Sequence, residues 1–249
     1  MNIIEIENLS HRFPDGTLGI DGINLTIREG TFVVISGQNG SGKTTLLRHL
    51  NGLLLPDRGT VRLSGALVSK DLVKARQIVG MVFQDSDSQI VGETVYDDVA
   101  FGPENLCLDR SKIKRRVYDA LEAVGLTGLA EQRPHLLSGG EKRRLAIAGV
   151  LSMKPRVIVF DEPFSNLDYP GIRQLLEQVL SLLKAGHTII VATHELEKVI
   201  AHADHLVIMK DGTIVRDGLP DEMVKGVEAF GVKEPYNSRP GMEIRSWLN

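Results

Sequence analysis

The chain has 249 residues, of which 42% are hydrophobic, and its 29 basic and 32 acidic side chains leave a net charge of −3. The near balance of charge argues against a protein held to nucleic acid by bulk positive charge, and the apolar content argues against disorder. No apolar run approaches the roughly 20 residues of a spanning helix, no secretory-signal pattern begins the chain, and the single Cys107 cannot form an internal disulfide. These features predict a soluble, cytoplasmic globular protein.

The N-terminal part of the sequence predicts antiparallel strands. Apolar and polar residues alternate over 4–9 and again over 23–27, with a Pro14-Asp15-Gly16 turn between the two stretches. A period of two with turn residues in between is typical of strands that bury one face. The fully apolar run 32–35 predicts a buried strand, and 59–63 predicts a further short strand of the antiparallel part.

A glycine-rich loop directly follows the apolar run at 32–35. Residues 37–44, GQNGSGKT, match the pattern G-x-x-x-x-G-K-[ST] in full, and 43–50 predict a helix that ends at Gly52. In such a loop the backbone N–H groups surround phosphates, the lysine neutralises the β- and γ-phosphates, and the threonine hydroxyl is a Mg²⁺ ligand. The position between a strand and a helix argues against a chance match. The predicted phosphate-binding residues are Gly37, Gln38, Asn39, Gly40, Ser41, Gly42, Lys43, Thr44 and Thr45.

The rest of the chain alternates helices and strands, which predicts a mostly parallel sheet covered on both faces. Helical periodicity runs from about 95 to 150, with Gly125 as a stop. The short apolar run 53–55 suits a buried strand or a packed helix, and residues 221–249 lack clear periodicity. The remaining predictions are strands at 157–160 and 188–193, helices at 172–183 and 195–201, and a hairpin of 205–209 with 213–216 around Asp211-Gly212.

Two carboxylates follow the strand predicted over 157–160. A strand that ends in Asp161 places this carboxylate beside the phosphate loop, where it can hold Mg²⁺ through water. Glu162, the next residue, is a candidate general base for an attacking water. An Asp-Glu pair after a strand is commonly only a solvated strand end, but the phosphate loop favours the functional interpretation.

Residues 137–141, LSGGE, predict a helix start that can bind another molecule. Ser138 and Glu141 have the spacing of a capping box, in which each side chain bonds the other residue's backbone N–H. Gly139 and Gly140 are costly in the first turn of a helix, and they allow close approach to the bare N–H groups. The sequence therefore predicts a second anion site. One economical explanation is that two chains face each other and complete each other's sites.

With this motif, the sequence resembles ABC-type ATPases, whose signature is LSGGEK, over about residues 3–220. The resemblance implies a P-loop NTPase of the α/β class, with a RecA-like parallel-sheet core, an antiparallel β subdomain and an α-helical subdomain at about 85–150. It implies a nucleotide-binding domain over 1–220, a short C-terminal extension over 221–249, and ATP hydrolysis with ATP and Mg²⁺ in a dimer.

The same resemblance implies roles for individual residues. Phe13 matches the aromatic residue that stacks on adenine, a position more often held by Tyr, and Gln84 matches the glutamine that senses Mg²⁺ or the γ-phosphate. Asp168 lies in the segment SNLD that matches the D-loop, and His194 matches the switch histidine. We expect Glu162, His194 and Gln84 to be catalytic and Thr44, Gln84 and Asp161 to bind the metal. The nucleotide-binding set then adds Phe13, Ser138, Gly139, Gly140 and Asp168.

A narrower resemblance is carried by residues 79–90 and 94–106, which are similar to the ATPases of energy-coupling factor importers. Such importers take up vitamins or transition metals such as cobalt and nickel. The resemblance implies a homodimer, or a heterodimer with a paralogous ATPase, at the cytoplasmic face of the cell membrane and without nucleic acid. Its partners there are a transmembrane coupling subunit and a substrate-binding membrane subunit. Asp85 and Asp87 would then face basic coupling helices of the membrane subunit.

Two other function classes compete with this one. An ABC ATPase that works in translation or repair without a membrane partner is the main alternative. A repair ATPase, however, needs a long coiled-coil insertion between Lys43 and Ser138, for which the chain has no room, and a translation factor carries two cassettes. A phosphate-loop kinase or nucleotide sensor leaves the Ser138 motif and Glu162 unexplained.

Overall fold

The structure, a computed structural model, describes residues 1–235 and 246–248. Two sheets and the helices around them account for most of this part of the chain. In chain order the elements are β1 (Asn2–Arg12), β2 (Leu18–Arg28), β3 (Phe32–Ser36), α1 (Lys43–Leu50), β4 (Arg58–Leu63), β5 (Ala66–Leu67), α2 (Leu72–Ile78), β6 (Val79–Val82), α3 (Val95–Asn105), α4 (Arg110–Ala123), α5 (Gly139–Ser152), β7 (Val157–Asp161), α6 (Tyr169–Lys184), β8 (Thr188–Ala192), β9 (His205–Lys210), β10 (Thr213–Gly218) and α7 (Pro220–Met223).

The N-terminal strands form an antiparallel sheet in the order β2-β1-β4-β5. Ile4 lies opposite Ile27, and Ile6 lies opposite Leu25. These four side chains are buried in one apolar cluster, because alternate residues of a strand point to the same face. The predicted pair of antiparallel strands is therefore confirmed, and so is the short strand at 59–63.

The second sheet has the order β10-β9-β3-β8-β7-β6. Its strands are parallel except β10, which forms the predicted hairpin with β9. Every residue of β3, β7 and β8 is buried. One face of these strands shares an apolar cluster with α1 and the antiparallel sheet, and the other shares a cluster with helices α3 to α6. Burial on both faces explains the lack of polar alternation in these strands. The order places the carboxyl ends of β3, β7 and β8 side by side, and the predicted α/β class with a parallel core is confirmed.

Helices α3, α4 and α5 pack on one another between β6 and β7 in sequence. Val99, Val117 and Leu145, one from each helix, are fully buried in a second apolar cluster, which is larger than that of the antiparallel sheet. We call it the larger apolar cluster. Helix α6 begins three residues before the predicted 172–183 and ends one residue after it. Among residues 1–235 and 246–248, no helix combines the length and apolar content that a bilayer crossing needs.

Some predictions of local structure are wrong. Residues 195–201 form two short 3-10 turns, Leu196–Lys198 and Ile200–His202, instead of an α-helix. The N–H groups of Lys198, Val199 and His202 bond carbonyls three residues back, and so short a segment does not repay the nucleation of an α-helix. The apolar run 53–55 is not buried, because Leu53 and Leu55 are about half exposed (46% and 48%).

Helix α2 and strand β6 lie in a stretch for which the periodicity gave no element. The Asp71 side chain caps α2 by accepting a hydrogen bond from the Lys74 N–H at 2.9 Å. The helix has seven residues, fewer than a periodicity argument requires. Strand β6 lies at the edge of the parallel sheet against β7, and the loop after it begins near Gln84.

Candidate functional site

The loop of residues 37–44, here called the phosphate loop, joins β3 to α1. A Cβ atom on Gly37 would lie 2.3 Å from the carbonyl O of Met209, and Gly42 caps α1 with a φ of +98°. Side chains at these two positions would clash or strain the backbone. The Gln38 side chain lies against Gly231 of the C-terminal segment, where a Cβ would approach its Nε2 to 1.6 Å. The sequence therefore folds this loop into a tight turn, in which residues 38–40 are exposed and Gly37, Ser41 and Lys43 are buried.

Lys43 holds the loop together from the inside. Its side chain is buried, and its Nζ donates hydrogen bonds to the carbonyl O of Gly37 at 2.8 Å and of Gln38 at 3.0 Å. The same Nζ lies 3.5 Å from the Oε1 of Glu162. A buried ammonium with only carbonyl and carboxylate neighbours is suited to receive a phosphate oxygen.

Thr44 and Asp161 place two oxygen donors side by side. The Thr44 hydroxyl donates to the Asp161 carboxylate, with distances of 2.8 and 3.1 Å to its two oxygens. Burial raises the pKa of the Asp161 carboxyl above its ordinary value, and the Thr44 hydrogen bond opposes that shift. A cation at this position would favour the ionised carboxylate. Hydroxyl and carboxylate oxygens are the ligands that Mg²⁺ prefers, so the donor set fits this ion.

Glu162 and His194 meet where β7 and β8 end. The Glu162 backbone has a φ of +47°, a left-handed conformation that non-glycine residues adopt at a cost and that is frequent at functional sites. Its Oε2 accepts a hydrogen bond from the Nδ1 of His194 at 3.0 Å. Its Oε1 is buried and has no hydrogen-bond partner. One carboxylate oxygen is thus held in place while the other is left to accept a proton.

One cavity of about 370 Å³ collects most of the residues predicted at the ATP site. The ring of Phe13 forms part of its wall, and this ring packs so close to Gly19 that a Cβ there would lie 3.0 Å from its Cε2. Gly37, Gln38, Ser41 and Asp161 are outside the lining. The predicted residues that line the cavity are Phe13, Asn39, Gly40, Gly42, Lys43, Thr44, Thr45, Gln84, Glu162 and His194.

The predicted second anion site lies in a different and larger cavity. Ser138, Gly139, Gly140 and Asp168 line a space of about 1110 Å³ that contains none of the phosphate-loop residues, and Gln84 lines both cavities. The structure therefore does not bring Ser138 to the phosphate loop of its own chain.

The capping box predicted at Ser138 is present. The Ser138 hydroxyl accepts from the Glu141 N–H at 3.3 Å, and Glu141 accepts from the Ser138 N–H at 2.8 Å. Hydrogen bonds from Ser138 hold the pKa of the Glu141 carboxyl below its ordinary value. Added Cβ atoms on Gly139 and Gly140 would meet nothing within 4 Å. The helix start is open to an approaching molecule.

Asp85 and Asp87 line the same larger cavity, but both have partners. Asp85 accepts a hydrogen bond from the Asp87 N–H at 3.0 Å, and Asp87 forms an ion pair of 2.8 Å with Lys142 on α5. Asp87 and Lys142 also line an adjacent cavity of about 660 Å³ with Arg133. The loop that carries Asp85 and Asp87 is thus held in place beside the two cavities.

Two positioning residues were not among the predicted ones. The Gln89 side chain bonds the backbone at the end of β6. Its Oε1 accepts a hydrogen bond from the Phe83 N–H at 3.1 Å, and its Nε2 donates one to the Met81 carbonyl at 3.2 Å. Arg143 on α5 donates to the carbonyl groups of Pro163 and Ser165 at 2.7 and 3.2 Å. It thereby connects the helix that starts at Ser138 to the loop after Glu162. No motif marks either residue, because their partners are backbone groups.

Comparisons with known proteins agree with this geometry. The family model described as "ABC transporter" matches residues 20–165. The energy-coupling factor transporter ATP-binding protein EcfA of Methanocaldococcus jannaschii is 45% identical over 92% of this chain and 84% of its own length. The protein of the same name from Carboxydothermus hydrogenoformans is 46% identical over 88% of this chain and 82% of its own length.

A solved structure of an ABC transporter component is also similar to this chain. CbiO1 of Clostridium perfringens, described as part of the ABC transporter complex CbiONQ, matches with a TM-score of 0.81 and 38% identity. The match covers 89% of this chain and 90% of that protein. At this identity the similarity extends beyond the fold alone.

Proposed function

The chain belongs to the ABC transporter family of ATP hydrolases, and we propose that it is the motor subunit of an energy-coupling factor importer. Its similarity to EcfA and CbiO proteins supports this proposal. The observation that carries the catalytic part is the Glu162 carboxylate. One of its oxygens is held by His194, and the other is buried without a hydrogen bond, 3.5 Å from Lys43.

ATP binds, in this proposal, along the cavity of about 370 Å³ between Phe13 and His194. Phe13 stacks on the adenine ring, since an aromatic face needs no hydroxyl for this contact. The N–H groups of the phosphate loop hold the β- and γ-phosphates, and Lys43 exchanges its bonds to Gly37 and Gln38 for phosphate oxygens. The loop is already folded around the ammonium, so that only a local exchange of partners is needed.

Thr44, Asp161 and Gln84 would hold the metal ion. Mg²⁺, when bound with ATP, neutralises charge on the phosphates and orients them. Thr44 and Asp161 are already joined by a hydrogen bond of 2.8 Å, which brings their oxygens to one place. Gln84 lies on the loop after β6 and lines both cavities. Of the three residues, Gln84 is therefore the one that can couple the state of the ATP site to helices α3, α4 and α5.

Hydrolysis requires a water molecule whose proton passes to Glu162 as its oxygen attacks the γ-phosphorus. The P–O bond to the β-phosphate breaks, which leaves ADP and phosphate. The Oε1 of Glu162, which makes no hydrogen bond, accepts the proton, and the bond from His194 keeps the carboxylate oriented. The other ring nitrogen of His194, Nε2, accepts a hydrogen bond from the attacking water when the ring is neutral and donates to the γ-phosphate when the ring is protonated.

A second ATPase chain completes the site. Ser138, Gly139 and Gly140 form an open helix start away from the phosphate loop of the same chain, and such an end attracts phosphate. We infer a dimer in which this helix start faces the ATP held by the partner, together with Asp168. The partner is a second copy or a paralogous ATPase.

The membrane partners bind at the surface around Asp85 and Asp87. This surface combines acidic and basic groups. The exposed apolar side chains of Val91 and Leu136 belong to residues that directly follow Ile90 and His135 of the adjacent cavity, and large apolar side chains within a polar rim are a feature of interfaces. We propose that it receives helices of a transmembrane coupling subunit, and that the complex carries a vitamin or a cobalt or nickel ion taken up by a substrate-binding membrane subunit. The chain then lies peripherally at the cytoplasmic face of the cell membrane.

Purification of the chain from its native membranes tests the proposal. We expect it to co-purify with two membrane proteins and to show ATP turnover that depends on Glu162. Recovery of a fully active ATPase without any membrane partner would favour an ABC ATPase of translation or repair.

A further inference from the structure

The final described residues, 246–248, lie against two loops that carry predicted site residues. The hydroxyl of Ser246 lies 2.8 Å from the Nε2 of His202, within hydrogen-bond distance. The ring of Trp247 packs on that of Tyr169, with 5.5 Å between the ring centroids and 43° between their planes. We call residues 246–248 the C-terminal clasp.

The third contact of the clasp is made by Leu248. Its carbonyl O accepts a hydrogen bond of 3.1 Å from the guanidinium of Arg173, which also lies 5.9 Å from the centre of the Tyr169 ring. Trp247 and Leu248 pack, partly buried, on the larger apolar cluster. The three successive residues each make a contact of a different kind: a hydrogen bond through a side chain, a contact between rings and a hydrogen bond through a backbone carbonyl. Together these contacts hold the clasp in one position.

The clasp joins two segments that are distant in sequence. Tyr169 is the first residue of α6, directly after Asp168, whose side chain caps this helix through the Gly171 N–H at 3.0 Å. His202 ends the 3-10 turns that follow β8 and His194. On the inner side, the same two segments are joined by the Glu162–His194 hydrogen bond and by Lys198, which lies 5.7 Å from the centre of the Phe164 ring.

We propose that the C-terminal clasp positions these two segments for ATP hydrolysis, with Trp247 as its central positioning residue. The proposal rests on the proposed function, because it assigns Glu162, Asp168 and His194 to the reaction. Catalytic groups on loops are placed well only when neighbouring contacts restrain them, and misplacement by about 1 Å costs rate. Trp247 also lines a cleft of about 390 Å³ with His194 and Glu195, so the indole lies beside the segment that it restrains.

The experiment combines kinetics with fluorescence, because Trp247 is the single tryptophan of the chain. Trp247→Ala removes the ring contact, Trp247→Phe keeps an aromatic ring on Tyr169, and Tyr169→Ala removes the other partner. Each variant is purified at full length, its thermal unfolding is recorded by circular dichroism, and kcat and KM for ATP are measured.

We expect Trp247→Ala to lower kcat by about 2- to 30-fold, the range found for residues that act through a network, with KM for ATP changed less than twofold. Trp247→Phe restores most of kcat. Tyr169→Ala shifts the Trp247 emission to longer wavelength in the absence of nucleotide and lowers kcat to a similar extent. An unchanged kcat in Trp247→Ala, or a loss that Trp247→Phe does not restore, would overturn the positioning role.

Arg173→Lys gives a second, milder variant in case Trp247→Ala does not fold. Lysine keeps a charge that can reach the Leu248 carbonyl but loses the planar group that lies over Tyr169. A smaller loss of kcat with a smaller emission shift is expected, and parental values of both would count against the clasp. Failure of the proposed function has a different signature, since a parent chain without ATP turnover would still show the Tyr169-dependent emission of a docked Trp247.

Discussion

At the scale of single residues, the proposed chemistry depends on Glu162. The Glu162 backbone is left-handed, its Oε2 is bonded to His194, and its buried Oε1 makes no hydrogen bond and lies 3.5 Å from the Nζ of Lys43. Glutamine in its place keeps the shape and the bond to His194 but cannot accept the proton. We expect Glu162→Gln to bind ATP as the parent does and to lose about 10²–10⁴-fold in kcat, measured by phosphate release and by nucleotide titration.

The same variant should accumulate as an ATP-bound dimer, because cleavage no longer releases the closed state. Size-exclusion chromatography with and without ATP measures this. Glu122→Gln, on an exposed position of α4, is the matched control and should behave as the parent in both assays. Normal turnover by Glu162→Gln would remove Glu162 from the role of base.

His194 gives a second prediction at this scale. Its Nδ1 holds Glu162, and loss of one preorganised donor typically costs about 10²–10³-fold in kcat. We expect His194→Ala to show such a loss with little change in ATP affinity. His187, which donates to the Pro155 carbonyl at 2.9 Å just before β8 begins, is the control at the other end of this strand. Its replacement by Ala should leave kcat per folded molecule unchanged.

At the scale of elements, a variant of Ser138, the residue that caps α5, distinguishes a structural role of this residue from a functional one. A plain cap contributes about 1 kcal/mol to the free energy of unfolding. We expect Ser138→Ala to lose that amount and also to abolish turnover, while the protein still melts cooperatively and binds ATP. Thr94→Ala is a close control, because Thr94 and Asp97 form the same capping box on α3. It should lose similar stability and keep its turnover, and equal turnover in both variants would make Ser138 only a cap.

The elements also show what the sequence can predict. Strands β3, β7 and β8 and the phosphate loop follow from short apolar runs and fixed glycine spacing, which are local signals. The sequence predicts a helix over 195–201, but these residues form 3-10 turns, because hydrogen bonds between residues three apart and the Lys198–Glu195 ion pair satisfy this short segment. Arg143 and Gln89 escaped detection, since each bonds backbone carbonyls or N–H groups that only the tertiary fold brings near.

At the scale of the whole molecule, the separation of the Ser138 cavity from the ATP cavity makes a prediction about mixed dimers. If the chain forms a homodimer, a Ser138→Ala chain paired with a Lys43→Ala chain carries both defects in one interface site and leaves the other site intact. We expect each variant alone to be inactive and the purified mixture to recover part of the parental ATPase rate. Mixing the Ser138→Ala chain with a Ser138→Ala, Lys43→Ala double variant serves as control, because both interface sites then carry a defect and no recovery is expected. Absence of recovery in dimers shown to have exchanged would contradict shared sites that fire independently.

The last prediction concerns the membrane partner and the loop of Asp85 and Asp87. Both acids are ordered, Asp85 by the Asp87 N–H and Asp87 by Lys142 on α5. An isolated surface pair contributes about 0–1 kcal/mol, whereas truncation of one member of a desolvated interface pair costs about 2–5 kcal/mol. Arginine from a coupling helix would suit these carboxylates, because its planar fork can bind them bidentately.

Changing Asp85 and Asp87 together to Ala should therefore release the membrane subunit and stop uptake, while the isolated chain still binds ATP. Co-purification from membranes and uptake by reconstituted vesicles measure the two effects. Replacement of Asp15 and Asp109 by Ala is the matched control, since Asp109 forms a similar exposed ion pair with Lys112 at 2.9 Å and neither acid lines the two cavities. If the Asp85 and Asp87 variant still co-purifies and supports uptake, the coupling surface lies elsewhere. The ordered acids then serve only to hold the loop after β6 against α5.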